Sequence, residues 1–422
     1  MDTERHVIFY HGIYLQRKNR YGGHMRGYEE SHPWLKFDVT LQELDANTWR
    51  LLGEVESKLE HLAGVPLPPE AAAFLHHVYL SKGVHATTQI EGNTLSEEEV
   101  GRRLNNDLPL PPSQQYLGQE VDNVLAACNL IGQGIAQGHD LSITADQILE
   151  FNRLVLKDLP PEDGVIPGKF REDSVLVGSV YRGAPARDVP YLVNRLCTWV
   201  DGLPAKYPPE LECSVEILAA IVAHLYLAWI HPFGNGNGRT ARLVEFQLLA
   251  KAGAPTPAAH LLSNHYSRTR SRYYQVLAES SRNTPFSPAG FIRYAVQGLV
   301  DGLREQIRFV QGQQMALIWQ NLVHDNISGH YKGKRKSAGE PRQRLLMLAL
   351  APDEVVAIGE IPSLTPELAA VYAGTTRKTI SRDVNTLVDL GLLMKSREGV
   401  MPNIDQVIGF LPARVDHPQR EA

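Results

Sequence analysis

Along most of this chain the apolar positions recur three or four residues apart, the period of helices with one buried face. The spacing predicts a helix over Leu41 to Leu62 and a shorter one from Pro69 to about Ser81. Further helices follow over Gln114 to Ile131, Thr144 to Leu156, Val189 to Trp199, Glu212 to Ile230, Thr240 to Lys251, Arg268 to Ser281 and Pro288 to Gln311. Gly64 and the run Pro66-Leu67-Pro68-Pro69 end the first of these. Gly132 and Gly134 stand where a stop belongs, and Thr144 and Pro288 where N-terminal signals belong. One segment breaks the period: Ser174 to Tyr181 is short, β-branched and glycine-containing, which predicts a small hairpin. Tyr331 to Gly339 is basic, rich in glycine and poor in apolar residues, and reads as a linker. Beyond it come helices over Arg342 to Leu350 and Thr365 to Ala373, a turn at Gly374 and a helix over Thr376 to Leu390. Gly391 stops that helix, and Leu392 to Val400 reads as strand and wing, the layout of a winged helix-turn-helix. The expected fold is therefore mainly α, a helical core with a small β-hairpin and a C-terminal winged helix-turn-helix.

At 422 residues the chain has material for two or three domains, and 43% hydrophobic with 21% charged residues is an ordinary globular composition. A formal net charge of -5 excludes a global positive field that would draw the protein to nucleic acid or anionic lipid. Cys128, Cys197 and Cys213 form no closely spaced ligand pair, which suits buried free thiols in a reducing compartment. Asp2, Glu4 and Arg5 precede any apolar stretch, unlike a signal peptide. The longest apolar stretch, Ile217 to Ile230, contains His224 and falls short of the ~18 residues of a membrane span. No membrane partner and a cytoplasmic location are expected.

The chemistry concentrates in His231-Pro232-Phe233-Gly234-Asn235-Gly236-Asn237-Gly238-Arg239-Thr240-Ala241-Arg242. A glycine-rich turn that feeds a helix N-terminus turns free N–H groups and the positive end of the helix dipole toward one point, which is an anion cradle. Arg239 and Arg242 are three apart, so both guanidinium groups project from the first turn, and guanidinium matches phosphate oxygens as a fork. His231, on the other lip, is the nearby group whose ordinary pKa suits proton transfer near neutrality. Cradle, arginine pair and histidine together describe phosphoryl or nucleotidyl transfer.

The twelve-residue string resembles the Fic family signature, His-x-Phe-x-(Asp/Glu)-Gly-Asn-Gly-Arg-x-x-Arg, at every fixed position but one. The flanks resemble the family as well: His224 and Tyr226, Gly168-Lys169-Phe170-Arg171, and Arg272-Tyr273-Tyr274. The likeness covers roughly residues 80 to 300. It implies a protein adenylyltransferase that moves AMP from ATP to a Ser, Thr or Tyr hydroxyl of a target protein. His231 would be the general base and Phe233 a packing anchor. Gly234 would belong to the phosphate loop, with Gly236, Asn237 and Gly238 on the α- and β-phosphates through backbone N–H groups and the Asn237 amide. Arg239 would hold the β-phosphate and Arg242 the γ-phosphate. Val175, Leu176 and Val177 would form a flap that takes the target segment as an added strand. Tyr273 and Tyr274 are candidates for a nucleoside pocket, with core packing as the other reading. Phosphorylating Doc-like relatives carry lysine where Gly238 stands, so the likeness implies AMP rather than phosphate transfer.

The departure is Asn235, where the family has Asp or Glu on Mg²⁺. An amide oxygen still offers a ligand for Mg²⁺ or Mn²⁺, with one negative charge fewer, so weaker metal binding is expected. That departure also keeps open a catalytically weak protein acting as a DNA-binding regulator or scaffold. Upstream, Thr87-Thr88-Gln89-Ile90-Glu91-Gly92 resembles the family's inhibitory motif. Thr87 and Glu91 share a helix face, and Glu91 would pair with Arg242 and withhold it from the γ-phosphate. The resemblance further leaves open auto-modification, removal of AMP, and a homodimer. In the C-terminal module, Thr375, Thr376, Arg377, Lys378, Thr379, Ser381 and Arg382 open the third helix, where duplex DNA and a protein partner remain alternatives. The expected domains are an N-terminal helical extension (1–80), the Fic catalytic domain with its inhibitory helix (81–310), a helix and basic linker (311–340) and the winged helix (341–405).

Overall fold

The computed structural model describes residues 26–177, 181–333, 338–351 and 354–408. Gly22 and Gly23, the hairpin tip at Gly178 to Val180, Lys334 to Ser337 of the basic linker, and Asp353 lie outside the described residues. The fold is mainly α, and the chain divides into two compact units, Met1–Ile307 and Arg308–Ala422.

The first unit is built round the helix Glu212–Ile230, which is buried on nearly every side. Ile217, Leu218, Ile221, Val222 and Leu225 leave it no polar face, so it fits only at the centre. The apolar span is longer than its sequence suggested. Pro209–Ile230 has 22 residues and a mean hydropathy of 1.8, enough to cross a membrane by length and composition, yet 83% of its apolar window is buried inside the unit. It packs along Asn237–Lys251, which in turn touches Pro69–Ile90, Gln115–Ala136 and Ala145–Val155.

Several helices outrun their sequence signals. Pro69–Ile90 continues past Ser81 because Val84, Ala86 and Ile90 are buried, and Gly83 lies so close to the His260 imidazole that no Cβ would fit. Gln115–Ala136 runs through Gly132 and Gly134, so tertiary packing overrides the glycine cost of about 1 kcal/mol each. Thr144 does cap Ala145–Val155, accepting a hydrogen bond from the Gln147 N–H. Helices Glu97–Leu104 and Leu261–Arg268 add to those expected from the sequence. Ala289–Tyr331 runs 43 residues, straight through the polar stretch at Gln311 to Gln314. Cys128 is buried, and Cys197 and Cys213 are only half-buried; all three are free.

In the second unit Val323, Ile327, Leu346, Leu368, Val384 and Val400 lie in one core. Helices Gly339–Ala349, Pro366–Tyr372 and Arg377–Asp389 are followed by an antiparallel hairpin, Leu393–Lys395 with Val400–Pro402. Gly374 and Gly391 both take positive φ, at 73° and 75°, which ends the helices before them. Buried Asp383 accepts from the Arg342 guanidinium at 2.8 Å, so the core keeps one paired charge.

Candidate active site

His231 caps the central helix in the left-handed region, at φ 52° and ψ 63°. A non-glycine residue holds that conformation only where its surroundings impose it. Here the restraint is Arg171. Its Nε donates to the His231 carbonyl at 2.7 Å and its Nη1 to the Asp173 carbonyl at 2.6 Å. Its Nη2 donates to the carbonyls of Ala184 and Ile230. One buried guanidinium thus ties together the end of the central helix, the histidine and the base of the hairpin, using backbone oxygens alone.

The loop after His231 is held from within and from below. Asn237 Nδ2 donates to the Phe233 carbonyl and its Oδ1 accepts the Phe233 N–H, both at 2.9 Å. The Asn237 amide, expected on the phosphates, closes the loop on itself here, with one of its two amide hydrogens still unused in that clasp. Phe233 is buried and its ring stacks on Phe170 at 5.7 Å. Gly236 takes φ 78° as the N-cap of Asn237–Lys251, and a Cβ there would press on the Asn152 amide. Asn152, fully buried, donates to the Asn235 carbonyl at 2.9 Å and accepts the Gly168 N–H at 3.0 Å. Gly234 faces outward beside Val165.

Arg239 lies in the first turn of that helix and Arg242 in the second, and both are buried. Arg239 Nη1 donates to Glu120 Oε1 at 3.0 Å, and its Nη2 lies 3.4 Å from Asn235 Oδ1. Arg242 Nη2 donates to Glu91 Oε1 at 2.6 Å and to the Thr87 carbonyl at 3.0 Å. Thr87 therefore contributes its backbone rather than its hydroxyl to this contact. Glu91 is the C-cap of Pro69–Ile90, and its carboxylate lies over the cradle so closely that a Cβ on Gly238 would collide with Oε1. A carboxylate of the chain itself stands against the glycine loop, where the helix end favours negative charge.

The electrostatics follow from this packing. Burial pushes the His231 imidazole down to about 4; Arg171 adds to the shift, while the Ala228 carbonyl and Glu91 oppose it. The imidazole is neutral, and so a proton acceptor, across the physiological range. Burial alone would raise the Glu91 carboxyl, but the charge and hydrogen bond of Arg242 outweigh it, and the net shift is downward.

The two tyrosines separate. Tyr273 is buried in the core, its hydroxyl 2.8 Å from His224 Nε2 and its ring stacked on Tyr266 at 4.8 Å, so its candidacy for a nucleoside pocket is withdrawn. Tyr274 remains 46% exposed, with its hydroxyl reaching the Ile90 carbonyl beside the Glu91 turn. Tyr226 is also a core residue, accepting the Phe37 N–H at 3.0 Å. In the hairpin, Leu176–Val177 pairs with Tyr181–Arg182, and Leu176 is 56% exposed. The Val175 carbonyl accepts the Gly183 N–H at its base.

Sequence reasoning missed Asn152, Glu120 and Glu162. Asn152 had a faint signal, a polar residue on the buried face of its helix beside Phe151. Glu120 and Glu162 had none, since ordinary surface-type carboxylates acquire a role only through the fold. Among the described residues no group of three or more His, Cys, Asp or Glu converges as a metal site. Asn235 and Glu162, in hydrogen-bond contact, offer one amide oxygen and one carboxylate. These are hard oxygen donors suited to Mg²⁺ when nucleotide phosphates and water complete the shell.

The helical core thus presents a histidine, a glycine loop on a helix N-terminus and two buried arginines at one place, a geometry suited to an anion. Residues 142–249 match the model of the Fic/DOC family. Two proteins named protein adenylyltransferase Fic are similar to it. That of Aedes aegypti is 32% identical over 44% of this chain and 34% of its own length. That of Nematostella vectensis is 28% identical over 55% of this chain and 50% of its own. The chain thus spans between a third and a half of the length of these relatives. Among solved structures, a Fic family protein from Desulfovibrio desulfuricans G20 superposes with a TM-score of 0.52 at 19% identity, covering 84% of this chain and 93% of that one, a likeness of fold.

Proposed function

We propose that the protein is a protein adenylyltransferase held in check by Glu91. The observation that carries this reading is the Glu91–Arg242 pair: a carboxylate seated over the glycine cradle on a fully buried guanidinium. The chain fills its own phosphate site with the one anion it can supply from the neighbouring helix. When ATP takes that place, its γ-phosphate replaces the carboxylate on Arg242, and Arg239 meets the β-phosphate. The N–H groups of Gly236 to Gly238 face the α- and β-phosphates. His231, neutral and fixed by Arg171, accepts the proton of the target hydroxyl. The freed oxygen attacks the α-phosphorus, the bond to the bridging oxygen breaks, and pyrophosphate leaves with that electron pair. Asn235 would help to hold a divalent cation, which would supply charge neutralisation on the phosphates. The exposed strand Leu176–Val177 receives the target segment by strand addition, so the partner is a protein with an extended Ser, Thr or Tyr segment.

Incubation with α-labelled ATP and Mg²⁺ or Mn²⁺, using the unmodified chain, Glu91→Gly and Glu91→Gly with His231→Ala, tests the reading. Label transferred by Glu91→Gly and lost with His231→Ala supports it. ATP binding without any transfer to the chain itself or to proteins of a cell extract favours a regulator or scaffold instead. For the second unit we propose a winged helix that meets duplex DNA, because Arg377, Lys378 and Arg382 are exposed along the start of helix Arg377–Asp389. Affinity for a DNA duplex should fall steeply with salt; a flat response leaves a protein contact as its role.

A further inference from the structure

The motif position that departs from the family pattern is filled by an uncharged side chain, yet a negative charge stands beside it. Asn235 Nδ2 donates to Glu162 Oε1 at 2.5 Å. The other end of the amide is turned inward: Oδ1 accepts the Gly236 N–H and lies 3.4 Å from Arg239 Nη2. This orientation suits asparagine and would not suit aspartate, which would put two carboxylates in contact.

Glu162 is not a chance neighbour on a loose loop. The segment that carries it is fastened to the phosphate loop at several points. The Glu162 carbonyl accepts the Val165 N–H at 3.1 Å, closing a turn. Val165 lies against Gly234 so tightly that a Cβ there would come within 2.9 Å of its Cγ2. Gly168, at φ 77°, donates its N–H to Asn152 Oδ1, and the same Asn152 holds the Asn235 carbonyl through its Nδ2. Asn152 therefore sets the spacing between the two segments. Glu162 and Asn235 together line one wall of a cavity of about 310 Å³.

We propose that Glu162 is the carboxylate that holds the divalent cation of the nucleotide complex, with Asn235 as its amide partner. The charge missing at position 235 is supplied from the preceding loop, so the site keeps one carboxylate rather than none. A hard cation such as Mg²⁺ then finds a charged oxygen and an amide oxygen, with phosphate oxygens and water for the remainder. In that complex the amide exchanges its hydrogen bond to Glu162 for a shared ligand, a rotation of one side chain. The inference rests on the nucleotide reading of the cradle and assigns a ligand within it.

The test separates the two. The full chain with Glu91→Gly, in excess over ATP, is titrated with Mn²⁺ and free metal is followed by electron paramagnetic resonance. ATP affinity without metal is measured alongside by calorimetry in EDTA. Glu162→Gln should weaken Mn²⁺ binding to the ATP complex by roughly tenfold to a hundredfold, with metal-free ATP affinity unchanged or improved. Adding Asn235→Asp to Glu162→Gln should recover the metal. Mn²⁺ affinity indifferent to Glu162→Gln, with ATP still bound, overturns the role of Glu162 alone. No ATP binding by the Glu91→Gly parent overturns the cradle reading, and this inference with it.

Discussion

Removing the Glu91 carboxylate is the most informative perturbation of this protein, because one change should move stability and nucleotide binding in opposite directions. The Arg242 side chain is 1% exposed and the Glu91 side chain 30% exposed, with 2.6 Å between them. The buried partner is the one left behind in Glu91→Gly. Breaking a buried ion pair from one side costs about 3–5 kcal/mol. The partial exposure of Glu91 and the retained bond from Arg242 to the Thr87 carbonyl bring the cost below that range, to about 2–3 kcal/mol. ATP gains what the free protein loses, since its γ-phosphate no longer displaces a carboxylate. A difference of about 2–3 kcal/mol is roughly 30- to 150-fold in ATP affinity. Calorimetric titration of ATP into both proteins reads the affinity, and thermal unfolding with and without ATP reads the stability. Glu91→Gly should melt lower than the unmodified chain without nucleotide and recover most of the difference when saturated with ATP. Equal ATP affinities in the two proteins would refute the reasoning, because they would mean that the pair does not compete with a phosphate.

Other expectations follow from neighbouring contacts. Arg171→Ala should destabilise the fold by at least about 3 kcal/mol, since several buried carbonyls lose their donor; chemical denaturation measures it, and a loss under 1 kcal/mol would show that water replaces the guanidinium. Gly238→Ala should displace the Glu91 carboxylate, so that ATP binds the unliganded protein more readily than it binds the parent, unless the methyl also blocks the phosphates, which would appear as weaker binding in the Glu91→Gly background. The pH dependence has a definite sign. Folding lowers His231 and His265 to about 4 and His260 to about 3, each chiefly by burial, against about 6.5 in the unfolded chain. Below about pH 6.5 the unfolded state binds protons that the folded state refuses. Stability is therefore full above that pH and is lost as pH falls toward 4, by several kcal/mol in sum. By the same token, the acidic limb of AMP transfer should lie near pH 4 rather than near 6.5; a limb at the ordinary histidine value would show that His231 is solvated in the working enzyme.

The twelve residues from His231 to Arg242 stood out through the whole string and its resemblance, since a glycine-rich turn by itself is often only a turn. The central helix was legible because it is apolar all round. Glu91 and its pairing with Arg242 were legible only through the resemblance of the upstream motif, since the two lie on different helices 151 residues apart. What stayed hidden was hidden for physical reasons. The extension of Pro69–Ile90 past Ser81 depends on Gly83 lying against His260, a contact nearly 180 residues distant in sequence. The loop-closing contacts of the Asn237 amide stayed hidden because spacing cannot tell a side chain that closes a loop from one that meets a ligand. Tyr273 and Tyr274 are adjacent in the chain, and only packing decides that one is core and the other surface.

Glu120 gives the arrangement a property that neither half has alone. One of its oxygens holds Arg239, and the other accepts from Asn93 at 2.8 Å, two residues after Glu91. The arginine expected to greet a phosphate and the segment leaving the blocking turn thus share a single mooring. If Arg239 swings toward a nucleotide, Asn93 loses the counterpart that steadied that same carboxylate, and the turn bearing Glu91 is loosened from the other side. Filling of the cradle and release of the blocking turn would then be coupled in free energy, each making the other easier at the same site.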